Sequence, residues 1–311
     1  MLRTLAWCGA RAQWILALGV LSALVLPVPG ALLEGTLPIL VATLIGLAMT
    51  RIDLFAVARR MLNPLRLVRN LAICGLLMLV TPALFWWAAS LAELPPGQIE
   101  ALVYTSAGPP LGSAAAFCLL LGLDAAFALE ITVLGSFLAP ITMPVVARTL
   151  LGEAVPIDAA EMAFRLTVLI GSAVAGALFA RHLLGADWIT RQSRAFDGLS
   201  AIIMVLFLFP LFLGLPEEIL AAPVFAAGTL ALAIAANLGV QIVAFLGLRS
   251  FAGRESGGAT AVIWGNRNAA LALAALPEAP VLTLYVALYQ FPMYFTPLVM
   301  RHIVGDAGRE K

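Results

Sequence analysis

Long apolar runs follow one another along the whole chain, separated by short segments that hold most of the charged residues. A helix needs about 20 mostly apolar residues to cross a bilayer, and charges, Pro and Gly mark where each run ends. The pattern predicts an all-α membrane protein with ten transmembrane helices. The ten predicted runs are Gln13–Pro29, Thr36–Thr50, Val68–Leu91, Gln98–Leu121, Ala125–Leu150, Ala163–Ala180, Phe196–Leu213, Ala221–Leu248, Ala259–Leu276 and Val281–His302.

Composition leads to the same protein class and excludes others. Apolar residues make up 62% of the 311 and charged residues 11%, whereas a soluble domain has roughly 45–50% and 25%. We therefore expect a lipid bilayer around the protein. A net charge of +1 provides no basic field for nucleic acid, and the three cysteines have no CxxC spacing that would indicate a metal site.

The distribution of cations predicts the orientation, because Arg and Lys in short loops stay on the cytoplasmic side. Most of the 18 Lys and Arg residues lie in the two terminal tails and in the connections after the second, sixth and eighth runs. This places both termini in the cytoplasm, and we expect the cytoplasmic (inner) membrane of a bacterium. The first run has a signal peptide as its alternative interpretation, but no convincing cleavage site follows it.

Two of the ten runs are interrupted by residues that a straight membrane helix does not accommodate. The fourth run contains Pro109-Pro110 with a glycine on either side, which removes helical hydrogen bonds. The ninth run contains three polar residues after a glycine, in the order Asn266-Arg267-Asn268. Unwound backbone in a bilayer is tolerated only where it lines a cavity, meets a ligand or is buried in protein. A substrate site is one interpretation, and a pair of structural kinks is the other.

The two halves of the chain repeat at one offset. Pro110 and Arg267 are 157 positions apart, and so are Pro140 and Pro297. We therefore predict two five-helix units, residues 1–155 and 156–311, which together supply a core and a panel subdomain. Five is an odd number, so the two units enter the membrane in opposite directions. Inverted repeats with broken helices at matching positions indicate the binding site of a secondary transporter.

One cation and one carboxylate lie clearly inside the apolar runs, away from the ends of those runs. Burying an unpaired Arg267 at mid-bilayer costs at least ~2.5 kcal/mol, and Glu130 is its candidate partner. One hypothesis is a permanent pair that only braces two helices. The other is that Arg267 faces a substrate carboxylate while Glu130 takes a proton or pairs with it in another state. Asn237 and Gln241 share a helix face, where they either line the cavity or bond to a neighbouring helix.

These features resemble the bile acid/sodium symporter superfamily. The local matches are Gly108-Pro109-Pro110-Leu111-Gly112-Ser113, then Ile131-Thr132 with Leu138-Ala139-Pro140, and Gly265-Asn266-Arg267-Asn268. The resemblance implies a 5+5 inverted repeat whose interrupted helices 4 and 9 cross, and transport by alternating access. On this basis the substrate end would consist of Gly112, Ser113, Asn266, Arg267 and Asn268.

The departures from that family concern sodium. Its sodium-coupled members use a Ser-Asn pair after the first break, a Ser and a Thr one turn apart in helix 5, and a Glu-x-x-x-Gln in helix 9. The matching positions here are, in that order, Ser113 and Ala114, Ala128 and Thr132, and Ile263 and Arg267. Only Ser113 and Thr132 keep the family's residue type. A hard cation needs several oxygen ligands, usually with a carboxylate, so we expect degraded or absent sodium sites.

The function expected from the sequence is secondary active transport of a small organic anion, with no cofactor. The alternatives are a sodium-coupled organic anion symporter of the same family, and an anion channel or exchanger. An intramembrane enzyme is not expected, because the chain has no HExxH or GxSxG motif. It also has no GxxxxGK[ST] loop for nucleotide-driven pumping.

Overall fold

The computed structural model describes residues 2–26, 33, 35–152, 158–277 and 279–305, and this part of the chain is helical without a strand. Two π-helical turns, Leu76–Val80 and Ala235–Gly239, each lie between two α-helical segments. The α-helices are α1 (Leu2–Ala10), α2 (Ala12–Val25), α3 (Thr36–Thr50), α4 (Leu54–Met61), α5 (Pro64–Gly75), α6 (Thr81–Leu91), α7 (Pro96–Ala107), α8 (Ala114–Leu120), α9 (Ala125–Leu151), α10 (Ala159–Leu184), α11 (Ala186–Arg191), α12 (Ser193–Leu211), α13 (Leu215–Ala221), α14 (Pro223–Ile234), α15 (Val240–Leu248), α16 (Gly253–Gly265), α17 (Ala269–Ala275) and α18 (Pro280–Val304).

Each of the ten predicted runs overlaps at least one of these helices. Within the described residues, five continuous segments are long and apolar enough to cross a membrane, and two bent helix pairs raise the number to seven. The chain is therefore an all-α protein with the helices of an integral membrane protein. The end of the first predicted run, at 27–29, and the predicted boundary between residues 155 and 156 lie outside the described residues. The five continuous segments are Pro64–Leu91, Ala125–Leu151, Ala159–Leu184, Ser193–Leu211 and Pro223–Leu248.

Apolar side chains cover much of the outside of this helical assembly. Leu18, Phe137 and Val243 are among many large apolar residues that are at least half exposed. Soluble monomers rarely expose apolar surface on this scale. The hydrocarbon of a bilayer is the solvent that suits such a surface.

Small residues allow α1 to pack closely on α12. A side-chain carbon on Gly198 would overlap the main-chain oxygen of Leu5, and one on Gly9 would overlap that of Arg194. Two neighbouring glycines thus let the helix backbones approach each other, a common solution in membranes, where association depends on van der Waals packing and interhelical hydrogen bonds.

The helix pair α3 and α4 bends sharply instead of continuing straight. Their axes differ by 72° across a short connection, and Asp53 caps α4 by accepting a hydrogen bond from the main-chain nitrogen of Ala56 at 2.9 Å. The Asp53 carboxylate also lies 3.7 Å from the guanidinium of Arg181. The cap and the ion pair together hold α4 across the end of α3.

Candidate functional site

The two interrupted segments cross each other through their backbones. The main-chain nitrogen of Leu111 donates to the oxygen of Asn266 at 2.9 Å, and that of Asn268 donates to the oxygen of Pro109 at 2.8 Å. Pro110 and Arg267 consequently face each other in an isolated antiparallel bridge. Backbone groups that the two breaks release from helical pairing thus bond to one another, as a water-free interior requires.

Both π-helical turns lie beside this crossing. A π-turn inserts one extra residue and often occurs at functional sites. The turn Leu76–Val80 presents the main-chain oxygen of Leu77 to the Arg267 guanidinium. The turn Ala235–Gly239 approaches Gly265 so closely that a side-chain carbon there would overlap the main-chain oxygen of Asn237. Only glycine fits at position 265.

A buried amide network holds the second break in place. Asn237 donates through Nδ2 to the oxygen of Gly265 at 2.8 Å. Thr296 donates to Oδ1 of Asn266 at 3.0 Å, and Gln241 donates to Oδ1 of Asn237 at 2.9 Å. All four of these polar side chains are fully buried. The structure therefore places Asn237, Gln241 and Asn266 in a positioning network at the crossing.

Arg267 is buried at the crossing, with only 3% of its surface exposed. Its Nη2 donates to the main-chain oxygens of Leu77 and Ser106. Its own main-chain nitrogen donates to the hydroxyl oxygen of Tyr289 at 3.1 Å. The remaining guanidinium nitrogens, Nε and Nη1, have no hydrogen-bond partner. Three N–H groups of a buried cation are thus left uncommitted.

A small cavity adjoins this guanidinium. Its volume is about 10 Å³, which is enough for one water-sized group. Besides Arg267, the hydroxyls of Thr105 and Tyr285 are buried at its wall without a hydrogen-bond partner. The complete lining is Thr81, Phe85, Leu102, Thr105, Ser106, Ala236, Trp264, Arg267, Tyr285 and Tyr289.

The electrostatics of the cavity favour an anion. One fixed positive charge and two hydroxyls converge there, and no carboxylate is present in the lining. Buried polar groups are nearly always paired, so several unpaired donors around one cavity need an explanation. An anionic ligand that accepts hydrogen bonds satisfies these donors and neutralises the charge.

Glu130 is not the partner of Arg267 in this structure. Its carboxylate is 2% exposed, and it lies 3.5 Å from the guanidinium of Arg66 and 3.8 Å from that of Arg60. Asn70 donates to its Oε2 at 3.1 Å. Glu130 lies in the second turn of α9, whereas Arg60 lies in the last turn of α4 and Arg66 in the first turn of α5. The expected pair with Arg267 is therefore replaced by a cluster at a helix end.

The other predicted site residues are distributed around the crossing. Gly112 and Ser113 lie between α7 and α8 and are absent from the cavity lining. Asn268 contributes its main-chain nitrogen to the crossing. Thr132 is buried on α9, where its hydroxyl donates to the oxygen of Ala128 at 2.8 Å, inside its own helix. Arg267 is the one predicted substrate residue that lines the cavity.

Three cavity residues, Thr105, Tyr285 and Tyr289, are not assigned to the predicted site, although the sequence has a signal for each. Thr105 lies one turn before the Pro109-Pro110 break, where the last helical residues turn towards the crossing. Tyr285 and Tyr289 are spaced i, i+4 on α18 and therefore share one face, with their rings stacked at 5.9 Å. A polar residue next to a break and a tyrosine pair opposite it are the clues that would have identified them.

Comparisons with known proteins add no relative. No protein-family model matches the chain, and no curated protein is significantly similar to it.

Proposed function

We propose that this protein is a secondary active transporter that carries a small organic anion across the membrane by alternating access. The observation that carries the proposal is the cavity at the crossing, where Arg267, Thr105 and Tyr285 are buried with unpaired hydrogen-bond donors. A bound anion forms an ion pair with the guanidinium and accepts hydrogen bonds from the two hydroxyls. Binding sites between broken helices near the middle of a membrane are typical of secondary transporters.

The size of the cavity bears on the transport cycle. At about 10 Å³ it is too small for an organic acid, so substrate entry requires its walls to separate. The walls come from α6, α7, the π-helical turn Ala235–Gly239, α16 with the break that follows it, and α18. We expect α7 and α16 to stay together, because their ends are joined by backbone hydrogen bonds, while a panel of other helices moves against them.

The crossing supports the proposed inverted repeat. The bridge at the crossing pairs Pro110 with Arg267, and these positions are separated by the same 157 residues as Pro140 and Pro297. Equivalent positions of the two proposed halves therefore meet at the crossing. We propose ten spans in two oppositely inserted five-helix units, as in the bile acid/sodium symporter superfamily. Both termini are then cytoplasmic, in a bacterial inner membrane.

Sodium is not needed for binding in this proposal. Arg267 supplies at the crossing a fixed positive charge, at the position where the sodium-coupled family has a neutral glutamine. The cavity lining has no carboxylate to complete a cation site. We therefore propose that the guanidinium substitutes for a bound ion and that anion binding is independent of sodium.

Binding to hydroxyl-deletion variants tests the site. We would screen bile acids, hydroxy acids and 2-keto acids by thermal shift of the purified protein, in sodium and in potassium buffer, and measure the best ligand by calorimetry. Tyr285→Phe and Thr105→Val each remove one donor to a charged acceptor, which is worth roughly 1.5–3 kcal/mol. We expect each variant to bind the ligand more than about tenfold more weakly.

Tyr104→Phe is the matched control, because the Tyr104 hydroxyl is also buried and unpaired but does not line the cavity. Its affinity should equal that of the unmodified protein. Equal losses in Tyr104→Phe and Tyr285→Phe, or binding that requires sodium, would contradict the proposed site. Saturable uptake with counterflow in proteoliposomes separates a transporter from a channel.

A further inference from the structure

A basic segment, residues 54–70, covers α4 and the first half of α5. It contains four exposed arginines, Arg59, Arg60, Arg66 and Arg69, and no acidic residue. We call it the basic platform. It is separate from the cavity at the crossing, and none of its residues lines that cavity.

Large apolar side chains project from the same segment. Leu62 and Leu65 are more than 80% exposed, and Phe55 and Val68 are about two-thirds exposed. The only buried apolar residue of α4 is Val57. The basic platform therefore combines arginines with apolar side chains that the protein itself does not cover.

The orientation of α4 suits a membrane surface. Its axis lies at 72° to that of α3, so it runs nearly at right angles to a neighbouring apolar helix. Short amphipathic helices with Arg on one side and Phe or Leu on the other lie in the plane of the interface. Placed there, Phe55, Leu62 and Leu65 reach the acyl boundary.

The positive charge of the basic platform exceeds the negative charge of the described carboxylates that lie near it. Glu130 is the carboxylate facing them, at 3.5 Å from Arg66 and 3.8 Å from Arg60. Arg69 donates to Oδ1 of the neutral Asn70 and lies 5.1 Å from the Phe127 ring centre. The nearest acid on the chain before α4, Asp53, pairs with Arg181. In the described part of the chain, the basic platform thus has four cations, and the buried Glu130 pairs with two of them.

We propose that the basic platform lies in the membrane interface and binds the phosphate groups of anionic phospholipids. Guanidinium groups match phosphate oxygens through parallel N–H donors. The negative surface of a membrane that contains such lipids attracts clustered arginines close to it. The exposed apolar side chains between the arginines single out a lipid in the bilayer as the occupant, because a soluble phosphate leaves them uncovered.

Lipid affinity of the purified full-length protein tests this proposal. We would titrate detergent-solubilised protein with phosphatidylglycerol and with phosphatidylcholine and follow binding by native mass spectrometry. The unmodified protein should prefer phosphatidylglycerol. In Arg59→Gln/Arg60→Gln/Arg66→Gln the preference should fall by about fivefold or more for each arginine that contacts the lipid. It should also weaken at 1 M salt, where surface charges are screened.

Two further variants distinguish loss of the lipid site from a general loss of charge and from loss of folding. Arg191→Gln/Arg194→Gln/Arg249→Gln removes the same number of exposed arginines from other helices and should retain the preference. The second variant adds Glu130→Gln to Arg59→Gln/Arg60→Gln/Arg66→Gln, which we call the basic-platform variant. It removes the buried carboxylate together with its arginine partners, so the protein should stay folded while the lipid preference remains lost. An unchanged preference in the basic-platform variant, an equal loss in the matched variant, or equal binding of inorganic phosphate would overturn the proposal.

Discussion

Arg267 and Glu130, the two charged side chains that are buried in the described part of the chain, are stabilised differently. Arg267 bonds to main-chain oxygens that a π-turn and a helix end release, and it keeps unpaired donors beside a cavity. Glu130 is surrounded by Arg60, Arg66 and Asn70. Arg267 is therefore available for a ligand, whereas Glu130 is already satisfied. This difference is the reason why we propose substrate binding for Arg267 and stabilisation for Glu130.

Glu130→Gln should lower stability without affecting ligand binding. The change removes the charge that faces Arg60 and Arg66 while it keeps the shape, and hydrogen bonds to charged groups contribute roughly 1.5–3 kcal/mol. We expect a lower thermal midpoint in detergent and an unchanged affinity for the anion found in the screen. Glu161→Gln breaks an exposed pair with Arg165 and should cost less than about 1 kcal/mol. A folded Glu130→Gln protein that no longer binds the anion would contradict this assignment.

The interruptions in the helices meet one another at the crossing. The ends of α7 and α16 pair through backbone hydrogen bonds, and the π-turns in the neighbouring helices supply a carbonyl to Arg267 and a close contact to Gly265. Every irregular segment at the crossing therefore meets another irregular segment. This arrangement accounts for the unwound backbone deep inside an apolar protein.

Gly265→Ala should disrupt the crossing. The added methyl group would overlap the main-chain oxygen of Asn237, which a rigid helix cannot move at low cost, and overpacking of this kind typically costs roughly 1–3 kcal/mol. Gly176→Ala is the matched control, because nothing lies within 4 Å of that position on α10. Thermal unfolding should show a clear loss for the first variant and little change or a gain for the second. Equal midpoints would contradict the close approach at Gly265.

Long apolar helices make up most of the molecule, and we propose that its two halves are related to each other. Long apolar segments and an exposed apolar exterior make it an integral membrane protein. The proposed inverted repeat adds a definite topology, in which the ends of successive helices alternate between the two sides. In this proposal the charge distribution assigns the two sides, because Arg and Lys in short loops favour the cytoplasmic side.

Cysteine labelling tests that topology. In a background without Cys8, Cys74 and Cys118, we would introduce Ser90→Cys and Arg148→Cys at one set of helix ends, and Arg191→Cys and Arg249→Cys at the other. All four positions are exposed. A membrane-impermeant maleimide should label the first two in intact cells and the last two only after permeabilisation. Labelling of all four from one side would contradict the opposite insertion of the halves.

The sequence was most informative about local features. The ten apolar runs all overlap helices, and the breaks at Pro109-Pro110 and at Gly265-Asn266 occur where Pro, Gly and polar residues interrupt an apolar run. Asp124 caps α9 at 2.9 Å from the nitrogen of Phe127, as a carboxylate at a short turn does. Each of these features depends on residues close together in the chain.

Contacts between residues far apart in the chain could not be predicted from the sequence in the same way. From the sequence one can predict where helices form, where two of them are interrupted and that one cation is buried, because hydropathy, Pro and Gly act locally on the backbone. The contacts between distant residues come from the packing of the helices: Glu130 pairs with Arg60 and Arg66, and Thr105 and Tyr285 join Arg267 at one cavity. These partners lie tens to more than a hundred positions apart, and packing of whole helices, not any local preference, brings their side chains together.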